Sequence, residues 1–251
     1  MSNPFSLQGK VALVTGANTG LGQGIAVALA EAGADIAAAG IQPPTETGEK
    51  VRALGRRFVA IEANLSSVEP IGRVVRETLD GLGGLHILVN NAGLIRRADA
   101  VDFTEKDWDD VMNVNIKGAF FMAQAAGRHM IAHGGGKIVN IASMLSFQGG
   151  IRVPSYTASK SGIAGITRLL ANEWANKGIN VNAIAPGYMA TDNTAQLRAD
   201  EARSAQILDR IPAGRWGVPA DLGGAAVFLA SRASDYVNGA ILPVDGGWLA
   251  R

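Results

Sequence analysis

Tyr156 and Lys160 stand four residues apart in the run Ser155-Tyr-Thr-Ala-Ser-Lys160. On a helix, positions i and i+4 share a face, with Cβ atoms about 5–6 Å apart. A phenol ordinarily ionises near pH ~10, too high for a base at neutrality. A cation held beside it stabilises the phenolate and lowers that pKa. Ser143 precedes the pair at what reads as the end of a strand. Its hydroxyl is placed to hold a substrate oxygen near the phenol. The chemistry of such a trio is proton transfer to or from an alcohol or carbonyl oxygen. The plain alternative is an amphipathic helix that carries Tyr and Lys without function, since short motifs recur by chance. The elements around the trio must decide.

Val11-Ala-Leu-Val-Thr15 is a short apolar run, as expected for a strand buried on both faces. A glycine-spaced turn follows, with Gly16, Asn18, Thr19, Gly20, Leu21 and Gly22, and then a helical apolar pattern from Gln23 to Ala32. Strand, glycine turn and helix form the context that nucleotide binding requires. Glycines let the backbone approach a pyrophosphate, and the helix N-terminus offers free N–H groups. The spacing is Gly-x-x-x-Gly-x-Gly rather than the commoner Gly-x-Gly-x-x-Gly.

Asp35 to Ile41 reads as the second strand, whose end meets an adenosine ribose in dinucleotide folds. Gly40-Ile41-Gln42-Pro43 carries neither an acid for a ribose hydroxyl nor a base for an NADP phosphate. The missing cation weighs more, because a phosphate needs charge and a hydroxyl only a polar acceptor. NAD is therefore the expected cofactor.

The pattern continues with a helix at Thr45–Leu54, a strand at Arg57–Ala63 and a helix at Val68–Leu82. Asn64 and Leu65 fall at the end of that third strand, where Asn64 can accept from an adenine amino group. The fourth strand, Ile87–Val89, ends in Asn90-Asn91-Ala92-Gly93, small residues against which a cofactor can lie. A long helix is expected from Thr104, its N-cap, to about His133, with Asp107 at the capping-box position. It contains Asn115, which is unfavourable in a buried helix interior unless it bonds. Then come a strand at Lys137–Ala142, the helix Tyr156–Lys177, and a strand at Ile179–Ala185 closed by Pro186-Gly187. Tyr188 to Pro212 is polar, with a helical patch near Leu197 to Leu208, and suits a substrate lid. A helix at Pro219–Ala230 and a strand at Ala240–Val244 close the chain. Strands alternate with helices throughout, so the expected fold is α/β, a Rossmann-type doubly wound seven-stranded parallel sheet in one domain, residues 1–251.

Composition bounds the function. The 251 residues are 47% hydrophobic and 18% charged, enough to bury a large core. A net charge of +1 makes no case for nucleic acid or an anionic membrane. With no cysteine, disulfides and thiolate metal sites are excluded. His129 and His133 lie at i and i+4 but lack a third ligand in sequence, so no metal is expected. The N-terminus has no signal-peptide core and no apolar run approaches a membrane span, so the expectation is a cytoplasmic protein.

Taken together, Thr15-Gly16-x-x-x-Gly20-x-Gly22, Asn90-Asn91-Ala92-Gly93, Asn115, Ser143, Tyr156-x-x-x-Lys160 and Pro186-Gly187 resemble the short-chain dehydrogenase/reductase family over the whole chain. The resemblance implies that Tyr156 is the catalytic acid/base and that Ser143 positions the substrate oxygen. It implies that Lys160 holds the nicotinamide ribose and lowers the tyrosine pKa, and that Asn115 anchors a water in a proton relay. Pro186, Gly187, Met189 and Thr191 would complete the cofactor site, with Thr191 contacting the nicotinamide carboxamide. Gly40 and Asn64 both stand where many members have Asp. A narrower resemblance, through Gly93-Leu-Ile-Arg-Arg97, the segment from Ser143 to Tyr156, Asn193 to Pro212, and the tail Asp245–Arg251, is to members acting on deoxy sugar acids of the gluconate type in pectin and uronate breakdown. It implies a carboxylated substrate. Arg96, Arg97 and Arg152 suit a carboxylate, with Arg96, Gln148 and Arg152 as the candidate substrate contacts. It also implies a homotetramer. Two rivals remain: an NADPH-dependent 3-oxoacyl thioester reductase and a non-catalytic dinucleotide-sensing protein.

Overall fold

The computed structural model describes residues 3–251. In chain order it builds β1 (Val11–Thr15), α1 (Gly20–Glu31), β2 (Asp35–Gly40), α2 (Thr45–Ala53), β3 (Phe58–Glu62), α3 (Ile71–Leu82) and β4 (Ile87–Asn90). The second half contains α4 (Glu105–Met112), α5 (Ala119–Ala132), β5 (Gly136–Ile141), α6 (Pro154–Trp174), β6 (Ile179–Pro186), α7 (Ala195–Ala199), α8 (Glu201–Arg210), α9 (Gly223–Ala230) and β7 (Ile241–Val244). The strands form one parallel sheet in the order β3-β2-β1-β4-β5-β6-β7. The order reverses between β1 and β4, and a crevice opens at the carboxyl ends of strands at such a switch point.

β1 shows why the sheet is buried on both faces. Side chains alternate along a strand. Val11 and Leu13 join the core under α3, α5 and α6, while Ala12 and Val14 join the core under α1, α2 and α9. All five residues of β1 are buried.

The expected uninterrupted helix from Thr104 to His133 is corrected. α4 and α5 are separated by a wide, π-helical stretch at Asn113–Gly118. Thr104 does cap α4, its hydroxyl accepting from Asp107 N at 3.1 Å. The Asp107 carboxylate, however, accepts from the Thr104 hydroxyl at 2.9 Å. The lid patch is likewise two short helices, α7 and α8, with Asp200 capping α8 through a bond from Arg203 N at 2.9 Å. Among the described residues no helix is long and apolar enough to cross a membrane.

Candidate active site

The crevice begins at the glycine turn. Gly16 and Gly20 hold φ of +64° and +58°, a region open to glycine at little cost. A Cβ on Gly22 would lie 2.2 Å from the Gly16 carbonyl oxygen, so no larger residue fits there. Thr19 precedes α1 without a side-chain cap bond, which leaves the first-turn N–H groups facing the crevice mouth. Across the switch point, Thr15 Oγ1 accepts from Asn91 N and Ala92 N, both at 3.0 Å. The Asn91 amide donates to the Thr15 and Gly16 carbonyls at 2.9 and 3.0 Å. These bonds hold the turn against the end of β4.

The resulting cleft has a volume of about 280 Å³. Of the expected residues, Gly16, Asn18, Thr19, Gly20, Leu21, Gly22, Asn91, Ala92, Gly93, Tyr156, Lys160 and Thr191 line it. Leu94, Ile141, Asp192 and Asn193 line it as well and were not foreseen. A backbone that takes a bare helix N-terminus, a glycine cradle and a buried lysine to one cleft fits a dinucleotide.

Other expected residues lie elsewhere. Ile41 is exposed beyond the end of β2. Asn64 is exposed and accepts from Ser66 N at 3.1 Å, an Asx turn. Leu65 is buried in the core under α3 and α5. Gly187 and Met189 line a separate cavity of about 180 Å³, and Pro186 ends β6.

Ser143 sits just past β5, where its hydroxyl accepts from Leu145 N at 3.2 Å. Ser146 ties this turn to α6: its hydroxyl accepts from Ser143 N at 3.3 Å and donates to the Lys160 carbonyl at 2.7 Å. Tyr156 and Lys160 share one face of α6, with the ammonium 5.5 Å from the ring centroid. Lys160 is 5% exposed and donates to the Ile141 carbonyl at 2.7 Å. Burial without a carboxylate partner brings its pKa down to about 8. Burial also pushes the Tyr156 phenol above its ordinary value, while the hydrogen bond with Ser143 and the charge of Arg97 pull it back.

Asn115 lies within the widened stretch. Its Oδ1 accepts from Leu94 N at 2.9 Å, and its Nδ2 donates to the Leu94 carbonyl at 3.0 Å and to Ser159 Oγ at 3.3 Å. The side chain thus clamps the loop after β4 to α6. π-helical turns concentrate at functional sites. Behind it, the Asn90 amide donates to Asn140, and Asn140 donates to Thr167, both at 2.9 Å.

The arginines separate. Arg96 pairs with Asp107 and Asp110, each at 3.3 Å, and Arg152 with Asp99 at 3.1 Å. Arg152 adopts φ +61°, and its carbonyl accepts from Ala98 N at 3.1 Å. Arg97 instead donates to the Asn193 carbonyl of the lid at 3.1 Å, and its charge reaches the phenol. Gln148 accepts from the Trp248 indole N–H at 3.3 Å. His129 and His133 stack at 4.0 Å, and no group of three potential ligands stands around them among the described residues.

The sequence profile of the family described as enoyl-(acyl carrier protein) reductase matches residues 16–249. The chain is similar to the 2-dehydro-3-deoxy-D-gluconate 5-dehydrogenase of Escherichia coli (strain K12), at 69% identity over 248 residues with 98% of each chain covered. It is 67% identical over 250 residues to the enzyme of the same name from Dickeya dadantii (strain 3937), with 99% of each chain covered. Among solved structures, it is similar to a protein from Agrobacterium tumefaciens provisionally named a 2-deoxy-D-gluconate 3-dehydrogenase and solved with bound NADP. That pair shares 60% identity and a TM-score of 0.93, covering 100% of both chains.

Proposed function

Because this chain belongs to the short-chain dehydrogenase/reductase family, oxidoreductases that act on CH–OH groups with a nicotinamide dinucleotide, we propose that it interconverts a secondary alcohol and a ketone of a deoxy sugar acid of the 2-dehydro-3-deoxy-gluconate type. The observation that carries the reading is the Tyr156–Lys160 pair, which lines the cleft from one face of α6 with the ammonium 5.5 Å from the ring. In oxidation, Tyr156 as the phenolate takes the hydroxyl proton; in reduction, the phenol gives that proton to the carbonyl oxygen. Ser143 holds the same oxygen by a hydrogen bond. Lys160 keeps positive charge buried behind the phenol. The glycine turn and the first turn of α1 hold the pyrophosphate, and the dinucleotide supplies the hydride exchange.

Arg97 is the best anchor for the substrate carboxylate. Arg96 and Arg152 would first have to leave carboxylates, whereas Arg97 is engaged by a neutral carbonyl. A guanidinium fork suits a carboxylate in a way that a lysine ammonium does not.

NAD(H) is the proposed cofactor. No Lys or Arg occurs at positions 16–22 or 40–43 to meet a 2′-phosphate. Lys50, on α2, is engaged with Glu46 at 2.7 Å and Gln23 at 3.0 Å. The relative solved with NADP makes NADP(H) the necessary second arm of the test. Steady-state assays with both dinucleotides over a panel of deoxy and hydroxy sugar acids and a 3-oxoacyl thioester decide between these readings. We expect the highest kcat/KM for a deoxy sugar acid with NAD(H), at least tenfold over NADP(H), which corresponds to ~1.4 kcal/mol. Faster turnover with NADPH overturns the cofactor assignment, and preference for the thioester overturns the substrate class. Arg97→Lys should raise KM for the acid and spare dinucleotide affinity.

A further inference from the structure

Trp248 lies three residues from the end of the chain yet is 5% exposed. It belongs to an apolar cluster separate from the sheet cores, with Met144, Ile207 and Ile211. The neighbours come from two parts of the candidate site, the loop after Ser143 and the lid segment. Met144 follows Ser143 directly. Ile207 lies on α8, the second lid helix, and Ile211 directly follows it. Tyr188, which opens the lid segment, packs its ring 4.8 Å from the Trp248 ring. The Arg210 guanidinium, also on α8, sits 4.1 Å over the indole. The indole N–H donates to Gln148, on the loop between Ser143 and Tyr156.

The tail presenting this indole is built to hold still. Asp245 accepts from Gly247 N and Leu249 N, both at 2.9 Å, closing the chain into a hook after β7. Gly246 and Gly247 adopt φ of +65° and +91°, so the hook needs glycine at both positions. Arg251 donates to the Asp209 carbonyl at 2.9 Å, a second tie between tail and lid helix.

We propose that Trp248 is a positioning residue for the substrate, the joint through which the C-terminal hook holds the lid helix and the loop after Ser143 in one arrangement. The proposal rests on reading residues 188–212 as a substrate lid. The indole fills the space between lid and serine loop, so neither can settle independently of the other. Side chains in contact through a shared packing site couple energetically. The dinucleotide cleft does not include Trp248 or its partners in this cluster. Loss of the indole should therefore act more strongly on the sugar acid than on the dinucleotide, whose cleft meets the lid only at 191–193.

The test compares Trp248→Ala and Trp248→Phe with wild type in the full chain, using three measurements. The KM for the sugar acid should rise about tenfold or more in Trp248→Ala, because a misplaced contact of even ~1 Å is costly in rate. It should rise only about two- to threefold in Trp248→Phe, which retains the ring packing and loses only the bond to Gln148. The dinucleotide Kd, from fluorescence titration, should stay within about twofold in both. Trypsin cleavage at Arg198 and Arg203, measured without substrate, should be about tenfold faster in Trp248→Ala and close to wild type in Trp248→Phe. The trypsin arm stands whether or not a sugar acid is the substrate, so a failed substrate assignment is told apart from a failed joint. Unchanged lid cleavage in Trp248→Ala, or equal rises in KM and dinucleotide Kd, would overturn the proposal. Should the alanine variant fail to fold, Trp248→Leu carries the same measurements with a smaller loss of packed volume.

Discussion

Tyr156 and Lys160 divide the work of the site by what burial does to each. Burial opposes charge on both, raising the phenol and lowering the ammonium to about 8. Tyr156→Phe retains the ring packing and removes the proton-transfer group. Its kcat should fall at least ~10²-fold while dinucleotide affinity, titrated separately, is unchanged. Turnover within a few-fold of wild type would remove Tyr156 from the chemistry. Lys160 yields a prediction about stability. Its folded pKa lies below the ordinary 10.5, so between about 8 and 10.5 the unfolded chain holds a proton that the folded chain has released. Stability contributed by this residue therefore rises with pH across that window, at ~1.4 kcal/mol per unit. Denaturant unfolding of wild type and Lys160→Met should give a difference that is flat below about pH 8 and grows in favour of wild type above it. A difference that stays flat through the window would mean the ammonium keeps its ordinary affinity for the proton.

At the scale of elements, the widened stretch between α4 and α5 is where the site departs from regular structure. Asn115 satisfies both backbone groups of Leu94, and it reaches them because the helix opens at 113–118. Asn115→Leu keeps the volume and leaves the Leu94 N–H and carbonyl without those partners. We expect a loss of about 2–4 kcal/mol in urea unfolding, since two unsatisfied groups at about 1–3 kcal/mol each are offset in part by the half-buried position of Leu94. A loss below ~1 kcal/mol would show that water replaces the amide.

For the whole molecule, the exposed apolar side chains bear on assembly. Trp108, Phe121 and Leu169 are each 36–48% exposed on α4, α5 and α6. These helices form one outer layer of the sheet. Large apolar side chains left exposed on one helical layer are suited to an association surface, and closed symmetric oligomers are the common outcome. We propose a homotetramer, which light scattering would report as about four times the 26.0 kDa chain mass. A 26.0 kDa species at working concentration would contradict it.

The order of strands and helices, the glycine turn and the Tyr156–Lys160 pair were legible in the linear chain, because each depends on local periodicity or fixed spacing. β1 is found at Val11–Thr15 as read, and Tyr156 and Lys160 share a helix face because four residues make about one turn. Other features were not legible, because they depend on residues distant in sequence. Asn64 stands just past the end of β3 as read, but that its side chain closes an Asx turn on Ser66 N is decided by the fold. Arg96, Arg97 and Arg152 are equivalent as residue types and differ only in whether a carboxylate has folded up beside them. Trp248 lies in a short tail, and only tertiary packing brings it against Met144 and the lid helix. Periodicity is a property of neighbours along the chain. The choice of partner for a charge or a ring is made across the fold, where burial and distance decide.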